Sequence, residues 1–263
     1  MPELPEVEIA RRNVVRWWEG RSADQVVVLD EKLLVETDAD ELVEAMSETC
    51  ETFRRRGKYL IAEMADRRDV VFHFRMTGKI VCGAEAEPEY ARLSWHVPES
   101  GWLAFVDMRR LGRVRLLEEG EIDEWEPLAE MGPEPLEVTG DQLRELLPPN
   151  RLLKTSLMDQ RVVAGLGNIA ISEIFWRARL HPRVKSGELT DEEVDELAEI
   201  IPAYLEEIIE REESDEITYV EEDQESNPFE IYRRDECPRC GAEVEKMNVG
   251  GRSTYYCGAC QTA

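Results

Sequence analysis

Pro2-Glu-Leu-Pro-Glu-Val-Glu8 is the stretch from which the rest of this chain is read. Once Met1 is removed, Pro2 carries a free secondary amine. Attack of such an amine on a carbonyl-like carbon gives a charged iminium, a stronger electron sink than a neutral imine. An α-amino group titrates near pKa ~8, so the neutral attacking form needs little tuning. Glu3, Glu6 and Glu8 are close enough in sequence to serve that amine as proton donor, proton carrier or electrostatic partner. The stretch runs into Ile9–Trp18, where Ile9, Val14, Val15 and Trp18 fall roughly on one side with Arg11, Arg12 and Arg16 alongside, a helical pattern. A helix fixes a reactive end better than a loop does. Taken alone, prolines and glutamates near a terminus describe a solvated leader equally well.

Downstream, from Gln25 to Arg115, short β-like runs follow one another: Val26–Leu29, Tyr59–Ala62, Val70–Phe74, Ala91–Trp95 and Trp102–Val106, with a short helix expected over Asp40–Met46. Their spacing predicts an antiparallel sandwich or barrel. Gly120–Thr139, with Pro127, Pro133 and Pro135 among acids, reads as a connection. Thr139–Leu147 is a short helix, and Arg151–Gln160 and Ile169–Arg179 flank a turn built on Gly165 and Gly167. Thr190–Ile201 and Ala203–Arg211 read as two helical stretches separated by Pro202. The fold class is therefore α+β. A β-rich domain covers residues 1–120, a linker 121–138, a helical domain 139–228 and a cysteine-rich module 229–263.

Cys237-Pro-Arg-Cys240 and Cys257-Gly-Ala-Cys260 are two C-x2-C pairs with 16 residues between them. Each pair can grip one side of a tetrahedral Zn2+, and the intervening chain is long enough for a β-hairpin. Four thiolates leave no open position for water, so one structural Zn2+ is expected and no catalytic metal. Cys50 and Cys82 are left over, which fits a reducing compartment better than a disulfide scaffold. No apolar stretch is long enough to span a membrane and the N-terminus has no signal-peptide pattern, so a cytoplasmic protein with no membrane partner is expected.

Charge pulls the other way from a nucleic-acid partner: the net value is −26, and phosphates need basic contacts. Its distribution is uneven. Between Glu188 and Glu225 there are 18 acidic residues and one basic residue, Arg211. Arg54, Arg55, Arg56 and Lys58 cluster, as do Arg109, Arg110, Arg113 and Arg115, and Arg233, Arg234 and Arg239. A basic surface on an acidic body satisfies both facts, and the acid surplus resembles that of proteins adapted to concentrated salt.

Pro2–Glu8, Arg56-Gly-Lys-Tyr59, His73-Phe-Arg-Met-Thr-Gly78 with Asp107-Met-Arg-Arg-Leu-Gly112, Lys154–Pro182 around Ala164-Gly-Leu-Gly-Asn168, and the cysteine tail together resemble the formamidopyrimidine-DNA glycosylases, in that family's order. The resemblance implies an N-terminal β-sandwich flanked by helices, a helix-two-turns-helix domain and a zinc-bound β-hairpin. It also implies a monomeric DNA glycosylase and AP lyase whose partner is double-stranded DNA with a damaged base or abasic site, bound across a cleft between the two larger domains. Pro2 would attack C1′, Glu3 would protonate the sugar ring oxygen or stabilise developing charge, and Lys58 would contact phosphate and move protons. Glu6 and Glu173 would support the site. Met76 would fill the void left by the extruded base, Arg109 would address the orphaned partner base, Leu111 would act as a wedge and His73 would contact backbone. Lys154, Asn168 and Arg252 would hold phosphates.

Three features depart from the family pattern. Leu111 stands where an aromatic wedge is usual, Met108 replaces a proline, and the stretch Thr218–Pro228 is short and acidic where oxidised-guanine enzymes carry a longer glycine-containing closing loop. Oxidised or ring-opened purines remain the expected substrates because of Pro2-Glu-Leu-Pro-Glu6. The alternatives are a glycosylase preferring oxidised pyrimidines and a zinc-containing DNA-binding protein that performs no excision. An acidic adaptor that never touches DNA is a further reading.

Overall fold

Helix α1 (Leu4–Trp18) starts at Leu4 and not at Ile9 in the computed structural model, which describes residues 2–214 and 227–262. The earlier start has a simple cause. Pro5 lies in the first helical turn, where the missing N–H has no intrahelical acceptor to lose. Leu4, Val7, Ala10, Val14 and Trp18 are buried along one face. At its far end Trp18 is wedged against Phe53 and Trp95, at ring distances of 5.6 and 5.2 Å. This end anchors the helix, and through it the N-terminal residues.

Eight strands make two antiparallel sheets: β1 (Gln25–Val28), β2 (Cys50–Arg56), β3 (Tyr59–Met64), β4 (Asp69–His73), β5 (Lys79–Gly83), β6 (Ala91–Val97), β7 (Gly101–Val106) and β8 (Arg113–Leu117). One sheet has the order β1-β6-β7-β5 and the other β2-β3-β4-β8. Phe72 of β4 stacks on Trp95 and Phe105 of the opposite sheet, at 6.2 and 6.4 Å, so the sheets face one another as a sandwich. β2, β5 and β8 were not among the expected runs. In β2 and β8 arginines interrupt the apolar pattern because each finds an acid: Arg54 pairs with Glu63, Arg55 with Glu8 of α1, and Arg115 with Glu36. Helix α2 (Ala39–Ser47) is capped by Asp38 and buries Leu42, Ala45 and Met46.

The chain divides into two compact units, Met1–Glu130 with Arg211–Tyr219, and Met131–Glu210 with Val220–Ala263. This partition differs from the expected one in the linker, in the grouping of Arg211–Tyr219 with the first unit and in the zinc hairpin. The linker is split: single turns α3 (Glu121–Glu124) and α4 (Glu126–Ala129) pack Ile122, Trp125 and Leu128 onto Ile61, Val71 and Leu117 of the first unit. From Gly132 on, the chain bonds to the second, through Gly132 N–H to Gln160 O (2.9 Å) and Ala164 N–H to Pro133 O (3.0 Å). The zinc hairpin belongs to the second unit together with the helices.

That unit contains α5 (Gly140–Leu146), α6 (Leu153–Leu157), α7 (Asn168–Arg177), α8 (Asp191–Arg211) and the hairpin β9 (Glu245–Val249) and β10 (Arg252–Tyr256). The two stretches expected around Pro202 are one helix, α8, with the proline inside it. An interior proline costs about 3 kcal/mol. Burial of Val194, Leu197, Ile201, Tyr204, Leu205, Ile208 and Ile209 along one face opposes that cost, at about 1.5–3 kcal/mol for each large apolar side chain. The acids Glu192, Asp195, Glu196, Glu199, Glu206 and Glu210 lie on the solvated face. The part of the acidic run from Asp215 to Glu225 and most of the Thr218–Pro228 stretch lie outside the described residues, as does Met1. Among the described residues no helix is long and apolar enough to cross a membrane.

Candidate active site and zinc centre

Pro2 and Glu3 are buried immediately ahead of α1. The Glu3 N–H donates to Glu6 Oε2 at 2.8 Å, half of a capping box. The chain at Arg211–Ser214 returns to this helix: Arg12 pairs with Glu213 at 3.0 Å and Asn13 Nδ2 donates to Ser214 O at 2.9 Å. Glu212 comes with it. Burial, then the charges of Glu3 and Glu212, push the Glu6 carboxyl up to about 7. Glu6 is thus able to hold or yield a proton near neutrality. Glu8 is placed otherwise. Burial alone would raise its pKa, but bonds from Arg11 and Arg55 outweigh that and hold it low, as a fixed anion.

The shift at Glu6 carries a test. Its ordinary value is 4.5 and its folded value lies above that, so the folded state keeps the proton longer. The resulting stability is full at low pH and is lost as pH rises through about 7. Glu6→Gln keeps an acceptor for Glu3 N–H and removes the titration. Its melting temperature relative to wild type should therefore climb from about pH 5 to about pH 8. A constant difference across that range would contradict the raised value.

Lys58 lies in the tight turn joining β2 to β3, where Gly57 takes a positive φ of 54°. Beside it Tyr59 and His73 are register partners on β3 and β4 with their rings edge-on at 4.6 Å. Burial, then the charges of Arg75 and Lys58, drive His73 down to about 3, so its imidazole is neutral. Nδ1 accepts Arg75 N–H at 3.1 Å, which leaves the proton on Nε2. His73 can therefore meet a phosphate as a neutral N–H donor.

Met76 and Leu111 sit half-buried in two turns, 75–78 after β4 and 107–112 between β7 and β8. Met108 is 55% exposed and stands out from the second turn beside the half-buried Leu111. The Arg109-Arg110 doublet is resolved by pairing. Arg110 Nε bonds Asp30 Oδ2 at 2.6 Å, whereas the exposed Arg109 guanidinium has no ion pair among the described residues.

In the second unit Lys154 of α6 is wholly buried, and its ammonium donates to Asn168 Oδ1 (2.8 Å) and Thr254 Oγ1 (2.5 Å). Asn168 begins α7 after the Gly165 turn (φ 77°) and donates from Nδ2 to Ser253 O at 3.0 Å. Helix α6, the N-terminus of α7 and β10 are thereby tied at one point, with Arg252 exposed at the start of β10 beside Gly250-Gly251. Glu173 of α7 is buried, and its carboxylate accepts the N–H groups of Glu230 (2.7 Å), Ile231 (3.0 Å) and Tyr232 (2.7 Å). Burial raises its pKa against those three bonds. Its support is mechanical: it clamps the segment that leads into the cysteine module.

Cys237, Cys240, Cys257 and Cys260 point their sulfurs inward, all within 4.8 Å of one another, with Cys237–Cys260 at 4.0 Å and Cys240–Cys257 at 3.5 Å. A tetrahedron with Zn–S bonds of ~2.3 Å has edges of about 3.8 Å, so the four thiols fit one structural Zn2+. Trp176 Nε1–H donates to Cys237 Sγ at 3.3 Å, coupling α7 to the centre.

Residues 1–114 match the formamidopyrimidine-DNA glycosylase N-terminal domain, 131–219 the H2TH domain of the same enzymes, and 235–263 the zinc finger found in FPG and IleRS. Formamidopyrimidine-DNA glycosylases of Bacillus cereus and Streptococcus pneumoniae are each 35% identical, aligned over 99% of this chain and 99% of their own. The chain belongs to the formamidopyrimidine-DNA glycosylase family. Two solved structures of Lactococcus lactis Fpg, one with DNA containing an abasic site and one with DNA containing an oxidised pyrimidine, are 28% identical with TM-scores of 0.88 and full coverage of both chains.

Within this glycosylase fold the expected residues gather in small groups: Pro2, Glu3 and Glu6 at α1, Lys58 with His73 at the β2–β3 turn, Met76, Arg109 and Leu111 on the two turns, and Lys154, Asn168 and Arg252 around β10. Thr254, Glu212, Asp30 and Trp176 were missed. Each acts through a partner far along the chain, and only the Cys-Cys spacing near Trp176 hinted at any of them.

Proposed function

We propose that this chain removes oxidised or ring-opened purines from double-stranded DNA and then cleaves the abasic site, working as a cytoplasmic monomer. The observation that carries this is the buried Pro2-Glu3 pair at the head of α1, with a proton-holding Glu6 bonded to the Glu3 backbone, in a chain of this family along its whole length.

In this reading the neutral amine of Pro2 attacks C1′ of the extruded nucleotide. The base leaves with the electrons of the glycosidic bond, and a proton on the ring oxygen, supplied from Glu3, lets the sugar open to an iminium. Loss of the C2′ proton then expels the 3′ phosphate, and a second elimination expels the 5′ phosphate. Lys58 and neutral His73 hold phosphates near the amine, and Lys58 is a candidate to carry the C2′ proton. Lys154, Asn168 and Arg252 hold further phosphates, with Lys154 charging the clamp from behind Asn168. Met76, Arg109 and Leu111 fill the vacated stack, and the exposed Met108 lies beside them. Zn2+ supplies rigidity to the hairpin and no chemistry.

A second reading, preference for oxidised pyrimidines, is favoured by one fact: the Lactococcus lactis Fpg described above binds DNA containing such a lesion. Single-turnover excision on matched duplexes separates the two. Ring-opened purine should be removed fastest, 8-oxoguanine more slowly, oxidised pyrimidine slower still and undamaged bases not at all. An oxidised pyrimidine as the fastest substrate reverses the preference. Tight lesion binding with no excision of any base supports the non-catalytic alternative.

A further inference from the structure

The two turns that carry Met76, Arg109 and Leu111 are joined by a single buried carboxylate. Asp107 is 1% exposed and directly follows β7. Its Oδ1 accepts the Thr77 hydroxyl at 2.5 Å and Arg109 N–H at 3.1 Å, and its Oδ2 accepts the N–H groups of Leu111 and Gly112, both at 2.7 Å. Thr77 Oγ1 in turn accepts Arg109 N–H at 3.2 Å, so the first turn touches the backbone of the second at Arg109. The Asp107 backbone is also fixed, by its N–H on Tyr90 O and by Arg92 Nε on its own carbonyl, both at 3.0 Å.

The floor beneath both turns is one ring. A Cβ on Gly78 would come within 2.8 Å of Phe105, and a Cβ on Gly112 within 2.6 Å. Both glycines are therefore required for the turns to close on the same aromatic face. Arg110, at a positive φ of 56°, is drawn to Asp30, so the doublet cannot exchange which arginine it presents without breaking that pair. A carboxylate taken out of water is tolerated only when its lone pairs are filled by donors, and here four donors from two turns fill them. The turns cannot separate without stranding that charge.

We infer that Asp107, braced by Thr77, is a positioning residue that holds the two turns as one preformed wedge, so that Met76, Arg109 and Leu111 enter the duplex together. This rests on the glycosylase reading and deepens it. A preformed wedge loses less loop entropy at the moment of insertion, so it speeds extrusion of a paired base. An abasic site has no base to extrude, so its cleavage depends less on the brace.

The test compares Thr77→Val, Thr77→Ser and Asp107→Asn with wild type on two duplexes, one with a ring-opened purine and one with a preformed abasic site. Thr77→Val deletes one donor to the carboxylate and is nearly isosteric, so it should fold. Its ratio of base excision to abasic-site cleavage should fall about tenfold, the effect of losing one hydrogen bond to a charged group. The gain in fluorescence of a 2-aminopurine beside the lesion, which reports unstacking, should slow by a similar factor. Discrimination between opposite bases should narrow, because Arg109 is no longer held in place. Thr77→Ser, which keeps the hydroxyl, should restore all three, and Asp107→Asn, which turns an amide N–H2 on two of the donors, should exceed Thr77→Val. Equal loss of excision and abasic cleavage, or an unchanged ratio with unchanged unstacking, would overturn the brace and leave Asp107 a fold element. A wild-type protein with neither activity would instead overturn the glycosylase reading itself, and this inference with it.

Discussion

Cys240→Ser should yield a protein without zinc that has lost at least about 100-fold in affinity for duplex DNA. The four-cysteine centre and the proposed phosphate contact Arg252 share one hairpin. Cys237 and Cys257 sit in an apolar cluster with Trp176 and Ile231, while β10, which follows the Gly250-Gly251 turn, carries Arg252 and the Thr254 hydroxyl that holds Lys154. So small a hairpin buries too little to hold its shape without the metal, whose binding energy is folding energy. Loss of one thiolate should free β10, unseat Thr254 from the Lys154 ammonium and leave that buried charge short of a partner. The Trp176 indole, bonded to Cys237 Sγ, gives a local readout, since its fluorescence should change when zinc is removed from wild type. Zinc analysis near zero on freshly prepared, fully active protein would contradict this arrangement.

Pro2→Gly should cut abasic-strand cleavage by about 100-fold or more, and a residue added ahead of Pro2 should abolish it. The reason is the nature of the amine. Glycine still offers a nitrogen, but as a primary amine it gives a neutral imine that must gain a proton before it can draw electrons. An amide in place of the amine has no nucleophilic pair at all. Glu3→Gln separates the two halves of the reaction: it should retain duplex binding and suppress removal of an intact damaged base, since an amide cannot deliver the proton that opens the sugar. Strand cleavage at wild-type rate with a blocked N-terminus would move the nucleophile to a lysine, Lys58 or Lys154.

What could be read in advance was local. The zinc ligands were legible because two C-x2-C pairs are a geometric statement within a few residues, and the sulfurs do converge. The turn at Gly165 and the helix that follows it were legible for the same reason. Pro5 and Pro202 misled in opposite ways. The first was passed over as a helix position although the first turn tolerates it, and the second was read as a break although a long buried face holds α8 together across it. Strands β2 and β8 were hidden by arginines whose partners, Glu8, Glu63 and Glu36, are not neighbours in the sequence.

Contacts at a distance explain the site residues that were missed. Nothing in Arg109-Arg110 tells which arginine is presented, because the choice is made by Asp30, 80 residues earlier than Arg110. Lys154 reads as a phosphate contact, and its full burial under Thr254, 100 residues on, has no local signal. Glu173 reads as a polar residue of the site and proves to be a bracket for residues 230–232. The acid surplus was legible as a total, yet its effect on the basic clusters was not: several of their arginines are already paired, while Arg109 has no ion pair among the described residues.

The central claim is that the N-terminal amine does the chemistry, and one measurement addresses it directly. The protein is incubated with a duplex containing an abasic site in the presence of borohydride, digested, and the cross-linked peptide sequenced by mass spectrometry. The expected result is a single reduced adduct on the nitrogen of Pro2, with Met1 absent from the peptide. An adduct mapped to Lys58 or Lys154, or no adduct on a protein whose Met1 has been removed, would contradict it.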